Sequence, residues 1–208
     1  MFLIRPTYAG LLEERNEARH NAHTRSDLLQ WNLKLMLKRL AREQDLIQTH
    51  YRLSLYCHRD SHFVMLARHS GHAKWARPGR VVYAEATDAI SDAWNKGESV
   101  FVDLPQDKAT RVDVLVKNQG MRREDATGLT MPSRSLVGYR LLDGDDHIGV
   151  LILESTKPRG VNSRTLEQIG DSVLVSAVAA MMAISRDHFP AMIQHVVPAS
   201  NPLRNAVK

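Results

Sequence analysis

Apolar and polar positions follow two rhythms along this chain, and each change of rhythm marks an element. Leu29, Leu33, Met36, Leu40 and Ile47 recur at spacings of four, three, four and seven, the stripe of a helix. Thr24 or Ser26 can cap that helix, which is expected to run to about His50. Residues 1 to 23, rich in Arg, Glu, Asn and His, read as a helix or a loose arm. Two strand-like runs follow, "YRLSLYCH" and "HFVMLARHS", joined by a turn at Arg59-Asp60-Ser61. "RVVYAEATDAISDAWNKG" sets small and apolar residues at helical spacing and stops at Gly97, a suitable C-terminal cap. "ESVFVDLP" reads as a short strand ended by Pro105. From Gln106 to Pro132 the pattern dissolves into mixed charge around one apolar patch, "VDVLV". A hairpin over residues 134 to 155 comes next. A last helix opens at Ser163, with Leu166, Ile169, Val173, Ala177, Ala180 and Ile184 at spacings of three and four. Prolines 190, 198 and 202 mark an unstructured tail.

This order, with antiparallel hairpins enclosed by helices, predicts an α+β fold rather than alternating βαβ units. The expected division is an arm or helix over 1–25, one domain over 26–188 and a flexible tail over 189–208. In the hairpin, Asp143-Gly144-Asp145-Asp146 lies between apolar runs, and Asp-Gly is a strong turn signal. A loop of two or four residues there pairs Leu141 with Ile148. One face then carries Val137, Tyr139, Leu141, Ile148, Val150 and Ile152 and is apolar. The other carries Arg134, Leu136, Gly138, Arg140, His147, Gly149, Leu151 and Leu153, a mixed face able to hold a polar ligand. A calcium loop needs ligands spread over about twelve residues ending in a bidentate glutamate. The three aspartates span four positions, so they read as a turn and no metal site is assigned.

Charge and composition narrow the function. The formal net charge is +5 over 208 residues, an excess too small to imply a nucleic-acid partner when no basic run is interleaved with aromatics. The single cysteine, Cys57, excludes an intrachain disulfide and points to a reducing compartment. The start "MFLIRPTYAG" is not a signal peptide, and the apolar stretch from Val173 to Ile184 is shorter than the roughly 20 residues of a membrane span. A cytoplasmic protein without a membrane partner is expected.

Three segments together resemble a GAF domain: "GRVVYAEATDAISDAWNKGESVFVDLP", "SRSLVGYRLLDGDDHIGVLILES" and "LEQIGDSVLVSAVAAMMAI". The likeness covers roughly residues 30 to 187, with Gly138-Tyr139 where many members have a proline. It implies a central antiparallel sheet with N- and C-terminal helices packed on one face and a small-molecule pocket on the other. Members bind cyclic nucleotides, bilins, haem or small anions, so the family fixes architecture better than function. Cys57-His58 resembles a bilin-anchoring pair but lies on the first strand, and Cys57 reads instead as a buried small hydrophobe. The free methionine sulfoxide reductases of this fold use several cysteines, whereas this chain lacks an attacking and a resolving pair. Asn95-Lys96 with Phe101 and Asp103 is similar to only part of a cyclic-nucleotide motif. His58, His62, His69 and His72 show no spacing that brings four zinc donors together.

The expectation is therefore a stand-alone GAF-like sensory or regulatory module, a homodimer through its terminal helices, acting on a separate protein partner and not an enzyme. The alternatives are an interaction adaptor that docks through its basic N-terminal helix, or an enzyme on the same scaffold. The candidate ligand-binding residues are Arg134, Arg140, Phe101 and Asp103, around a small anionic ligand held beneath residues 106 to 132; no cofactor is identified. Loops as long as that segment are often lids.

Overall fold

The structure, a computed structural model, describes residues 8 to 190 and Ile193, apart from residues 47, 78, 79, 86 and 87, with side chains described from Thr24 onward. The sequence-expected tail over 189–208 and the start of the arm lie almost wholly outside the described residues.

Six antiparallel strands form one sheet in the order β3-β2-β1-β6-β5-β4. They are β1 (Tyr51–Arg59), β2 (His62–Ser70), β3 (Val82–Ala84), β4 (Glu98–Phe101), β5 (Ser135–Asp143) and β6 (Asp146–Ser155). The β1–β2 turn places Asp60 and Ser61 at φ 48° and 59°, the positive values that match the twist of a two-residue hairpin. The β5–β6 turn is Gly144-Asp145, with Gly144 at φ 59° and Asp143 paired to Asp146, so the acidic cluster is a hairpin tip.

Helix α1 (Tyr8–Glu43) is continuous through Ser26, which lies buried within it instead of capping it. The expected stripe does face the sheet: Leu33 and Leu40 are fully buried together with Leu37 and Ala41, and Leu29 and Met36 pack against the same core. The expected closing helix is two helices, α6 (Ser163–Gly170) and α7 (Val173–Ile184), bent by 64°. Extended Ser172 makes the break, and its hydroxyl donates to Glu43 Oε1 at 2.5 Å, tying the bend to the end of α1. Among the described residues no single helix is long and apolar enough to cross a membrane.

Two further segments depart from the sequence reading. The run from Val81 splits into β3 and α3 (Ala89–Lys96), because Val82 and Tyr83 suit a strand and Asp88 then caps a new helix through the amides of Ile90 and Ser91. The mixed-charge stretch folds as α4 (Lys108–Gln119) and α5 (Arg123–Thr127). Asp107 caps α4 and Gly120, in the left-handed conformation, ends it. A single turn, α2 (Ala73–Ala76), follows β2.

The hairpin register differs from the expected one by one residue. Leu141 opposes Gly149, Leu142 opposes His147, and Ile148 is the extra residue of a bulge. A one-residue slip reverses every side chain of a strand. The face shared with Val137, Tyr139 and Leu141 therefore carries Gly149, Leu151 and Leu153, and it lies under α1, α6 and α7. The opposite face carries Leu136, Gly138 and Arg140 with Val150, Ile152 and Glu154, and α3 packs there. Gly138 and Gly149 thus sit on opposite sides. A Cβ at Gly138 would collide with Ser99 and Ala93 beside α3, and one at Gly149 with the Tyr56 carbonyl and Met182 of α7.

The glycine at 149 is a packing requirement, since the neighbouring carbonyl belongs to β1 and cannot swing aside. Gly149→Ala should cost about 2–3 kcal/mol of unfolding free energy by overpacking. Gly144→Ala, with open space but a positive φ, should cost about 1 kcal/mol. Urea denaturation of the two variants gives the comparison, and equal small losses would mean that β6 shifts freely against α7.

Candidate ligand cavity

The α3 side of the sheet is polar where the helix side is greasy. Pairing of β1 with β6 sets Arg52 opposite Glu154 and Ser54 opposite Ile152, and pairing with β2 sets Ser54 opposite Arg68. Arg52 and Glu154 are both buried, and their ion pair closes at 2.6 Å. Ser133 donates to the other carboxylate oxygen at 2.8 Å, and Arg52 reaches Thr130 Oγ1 at 3.3 Å. Burial alone would raise the Glu154 carboxyl, but the Arg52 charge and the Arg52 and Ser133 hydrogen bonds outweigh it and hold the group below its usual value. Burial would likewise lower Arg52, and Glu154 more than restores it.

Above this pair lies a cavity of 70 Å³. Its floor is Arg52, Tyr56, Tyr83, Ile152 and Glu154, one wall is the start of α3 at Asp88 to Ile90, and its roof comes from residues 101 to 133. Leu115, Gln119, Met121 and Leu129 of the roof face inward. The roof also holds its own apolar cluster, Leu104, Val112, Leu115 and Ala126, separate from the main core. Arg80, ahead of β3, grips Asp125 of the roof beside Arg122, while Arg123 meets Asp113 at 2.7 Å and joins α5 to α4 within the roof itself.

Of the four residues proposed from sequence, Phe101 lines the cavity. Asp103 does not, because β4 ends at Phe101 and Asp103 adopts φ 56°, which breaks the alternation and sends its carboxylate to Arg159 at 2.8 Å. Arg134 is half-buried, with Nε donating to the Leu104 carbonyl at 3.1 Å, outside the cavity lining. Arg140 shares the sheet face but lies at its far end, where Nη1 donates to the carbonyls of Trp94 and Asn95 at the C-terminal end of α3. It works there as a helix cap. Sequence reasoning passed over Arg52, Arg68 and Glu154. The signal was a charged residue inside each of three runs otherwise fit for a buried strand.

Cys57 lies elsewhere: it is buried, donates to the Val64 carbonyl, and burial pushes its thiol up to about 12, so it is unreactive at neutral pH. Among the described residues no three His, Cys, Asp or Glu side chains stand together as a metal site.

No protein-family model matches the sequence, and no curated protein matches it significantly. Solved structures do match. The GAF domain of a phosphoenolpyruvate-protein phosphotransferase from Coxiella burnetii aligns over 82% of this chain and 94% of its own, at TM-score 0.53 and 16% identity. The chain has a GAF-like fold. The GAF domain of a two-component sensor histidine kinase from Bacillus halodurans aligns over 74% and 95%, at TM-score 0.52 and 8% identity. The type II free methionine-R-sulfoxide reductase from Thermoplasma acidophilum aligns over 75% and 95%, at TM-score 0.53 and 11% identity. This last likeness corrects the expectation that the chain is not an enzyme, since the same GAF-like architecture serves as one. At these identities the likeness establishes the fold alone.

The cavity pair makes a pH signature. Glu154, with a lowered folded value, contributes stability that is full above its unfolded pKa of about 4.3 and drains away as pH falls through the folded value. Asp125, lowered although burial opposes its arginine partners, acts in the same direction. Asp88, raised by burial, acts oppositely: its contribution is full below its unfolded value and is lost as pH rises through the folded one. Glu154→Gln, which leaves Arg52 buried and uncompensated, should lose about 3–5 kcal/mol at pH 7 and flatten the fall in melting temperature between about pH 5 and 3. A variant whose acid limb matches the wild type would show that the pair does not form.

Proposed function

We propose that this GAF-like module is sensory or regulatory, and that it binds a small anionic ligand in the cavity beneath residues 101 to 133 to control a separate protein partner. The observation that carries this reading is the buried Arg52–Glu154 pair on the floor of a cavity roofed by a segment with its own small core. Two charges taken out of water give weak net stability, so their retention in a sheet that could be apolar fits a binding role. A reducing compartment such as the cytoplasm suits a chain whose single cysteine is a buried thiol. Native mass spectrometry of protein purified without denaturation should show a bound small molecule. Leu115→Trp, which fills the cavity from the roof, should remove that mass while the protein stays folded. Wild-type protein that carries no added mass, and whose melting temperature no small anion raises, would overturn the reading.

The module is further proposed to be a homodimer through α1 and α7. Leu28 and Trp31 on α1 are 57% and 61% exposed, and Val173 and Ile184 on α7 are 80% and 84% exposed. Ser176 and Ala180 continue the exposed face of α7 as small side chains, which allow close helix approach. Large apolar side chains left in water on two adjacent helices favour a partner surface. Light scattering at micromolar concentration should give twice the 23.5 kDa chain mass, and Trp31→Glu with Val173→Glu should halve it. A wild-type protein of single-chain mass throughout that range would end the dimer proposal.

A further inference from the structure

The α3 side of the sheet buries a second guanidinium, and among the described residues no carboxylate touches it. Arg68 is 7% exposed, against 5% for Arg52. Its Nε donates to Ser54 Oγ at 3.0 Å and its Nη1 to the Arg77 carbonyl at 3.3 Å. An arginine has five N–H donors, and among the described residues no carboxylate lies within ion-pair distance of this one. The buried carboxylates of this side are engaged elsewhere, Glu154 by Arg52 and Ser133, and Asp88 by the amides that open α3. An unpaired buried charge is costly, so its persistence calls for an anion.

Arg68 lines a chamber of 260 Å³ that shares Arg52, Tyr83 and Leu129 with the inner cavity. Arg80 and Asp125, on the same wall, are bound to each other, and Glu124 is the exposed carboxylate there. Through Leu129 and Thr130 the chamber adjoins an outer groove of 370 Å³. The charged side chains of that groove are Lys74, Lys108 and Arg111, with His72 stacked on Trp75 and no acid on its lining among the described residues. A cleft lined by one sign of charge raises the local concentration of the opposite ion. Three spaces thus adjoin: the cationic groove, the chamber that holds Arg68, and a small cavity walled largely by Ile90, Leu104, Leu115, Leu136 and Ile152.

We infer that Arg68 receives the anionic head of a small organic acid or phosphate ester whose apolar body occupies the inner cavity. The inference rests on the inner cavity being a ligand site and adds the ligand's chemistry and orientation. A 70 Å³ cavity is about half the ~150 Å³ that accepts benzene, so the body is a short chain of about three or four carbons.

The test uses the full-length protein with n-butyrate, n-butyl phosphate and the neutral n-butanol, followed by calorimetry and by ligand-observed NMR. One or both anions should bind at least tenfold more tightly than butanol, and their ranking separates a carboxylate head from a phosphate. Arg68→Met should weaken that binding at least tenfold, Arg68→Lys should weaken it less, and Glu124→Gln should leave it unchanged or tighter. Without any ligand, the urea midpoint of Arg68→Met should equal or exceed the wild type, because the substitution removes an uncompensated charge. A destabilised Arg68→Met would make the arginine structural and overturn the inference. Butanol binding as well as the anions, undisturbed by Arg68→Met but abolished by Leu115→Trp, would overturn it while leaving the cavity a ligand site. Binding of none of the three would also overturn it, and the cavity reading would then stand or fall on the mass found in native protein.

Discussion

The contact between Arg52 and Glu154 sets the terms for the rest of this molecule. Two full charges opposed across the central strands of a sheet cannot face lipid-like packing, so this side cannot be closed by greasy helices as the other side is. The α1–α7 side can be, because Leu53, Leu55, Val137, Leu151 and Leu153 present an uninterrupted apolar surface. What covers the charged side must supply hydrogen bonds as well as area. The roof does so through Ser133 and Thr130, while Leu115 and Leu129 supply the area. A cover that satisfies polar groups from a loop-rich segment packs less completely than a helix on a greasy face, and the cavity is the remainder. The cavity follows from the charge pair.

The fold was legible in the sequence where one pattern dominated a segment. The α1 stripe and the two hairpins follow from periodicity and turn residues, and the resemblance to GAF domains supplied the placing of the terminal helices on one face. The errors share one cause, which is that a local pattern carries no information about a one-residue accommodation. The Ile148 bulge leaves every residue of β6 in its place along the chain yet reverses which neighbours it meets. Asp103 at φ 56°, two residues past the end of β4, likewise turns its carboxylate away from the face that strand alternation assigns it. The helices of the roof were illegible for a different reason. Only one side of α4 is buried, at Val112, Leu115 and the polar Gln119, so its fully buried apolar stripe is two residues long and half-hidden by charge.

The candidate site was less legible than the fold, and the arginines show why. Sequence reading favoured Arg134 and Arg140 because they flank a mixed strand, yet both spend their hydrogen bonds on main-chain carbonyls, Leu104 for one and the end of α3 for the other. Arg52 and Arg68 sit inside runs that otherwise read as buried strands, and a charged residue in such a run is an anomaly with two opposite explanations. It is an edge residue with its head in water, or it is a buried residue with a partner. Only pairing across strands decides between them, and here it decides for burial in both cases. A buried charge in a strand is the stronger pointer to chemistry, because surface arginines cost nothing to keep.

Among the structures this chain matches, the GAF-like scaffold is a domain of a phosphotransferase, a domain of a sensor histidine kinase and a reductase, so the architecture alone does not select a function. Selection falls to the side chains that the α3 face presents. This chain puts its lone thiol on β1 among buried side chains, outside the cavity lining, where burial raises its pKa. What it puts on the cavity face instead is fixed charge: one guanidinium neutralised within the sheet and a second left with open donors facing a chamber. The two are held at different electrostatic levels by the same carboxylate, since Glu154 is in contact with Arg52 and acts on Arg68 only through space. Any anion that settles on Arg68 therefore also feels Glu154, and its retention depends on how firmly Arg52 keeps that carboxylate neutralised. The roof residues Ser133 and Thr130 hold this pair from above, so the roof and the wall of the chamber meet at one set of buried charges.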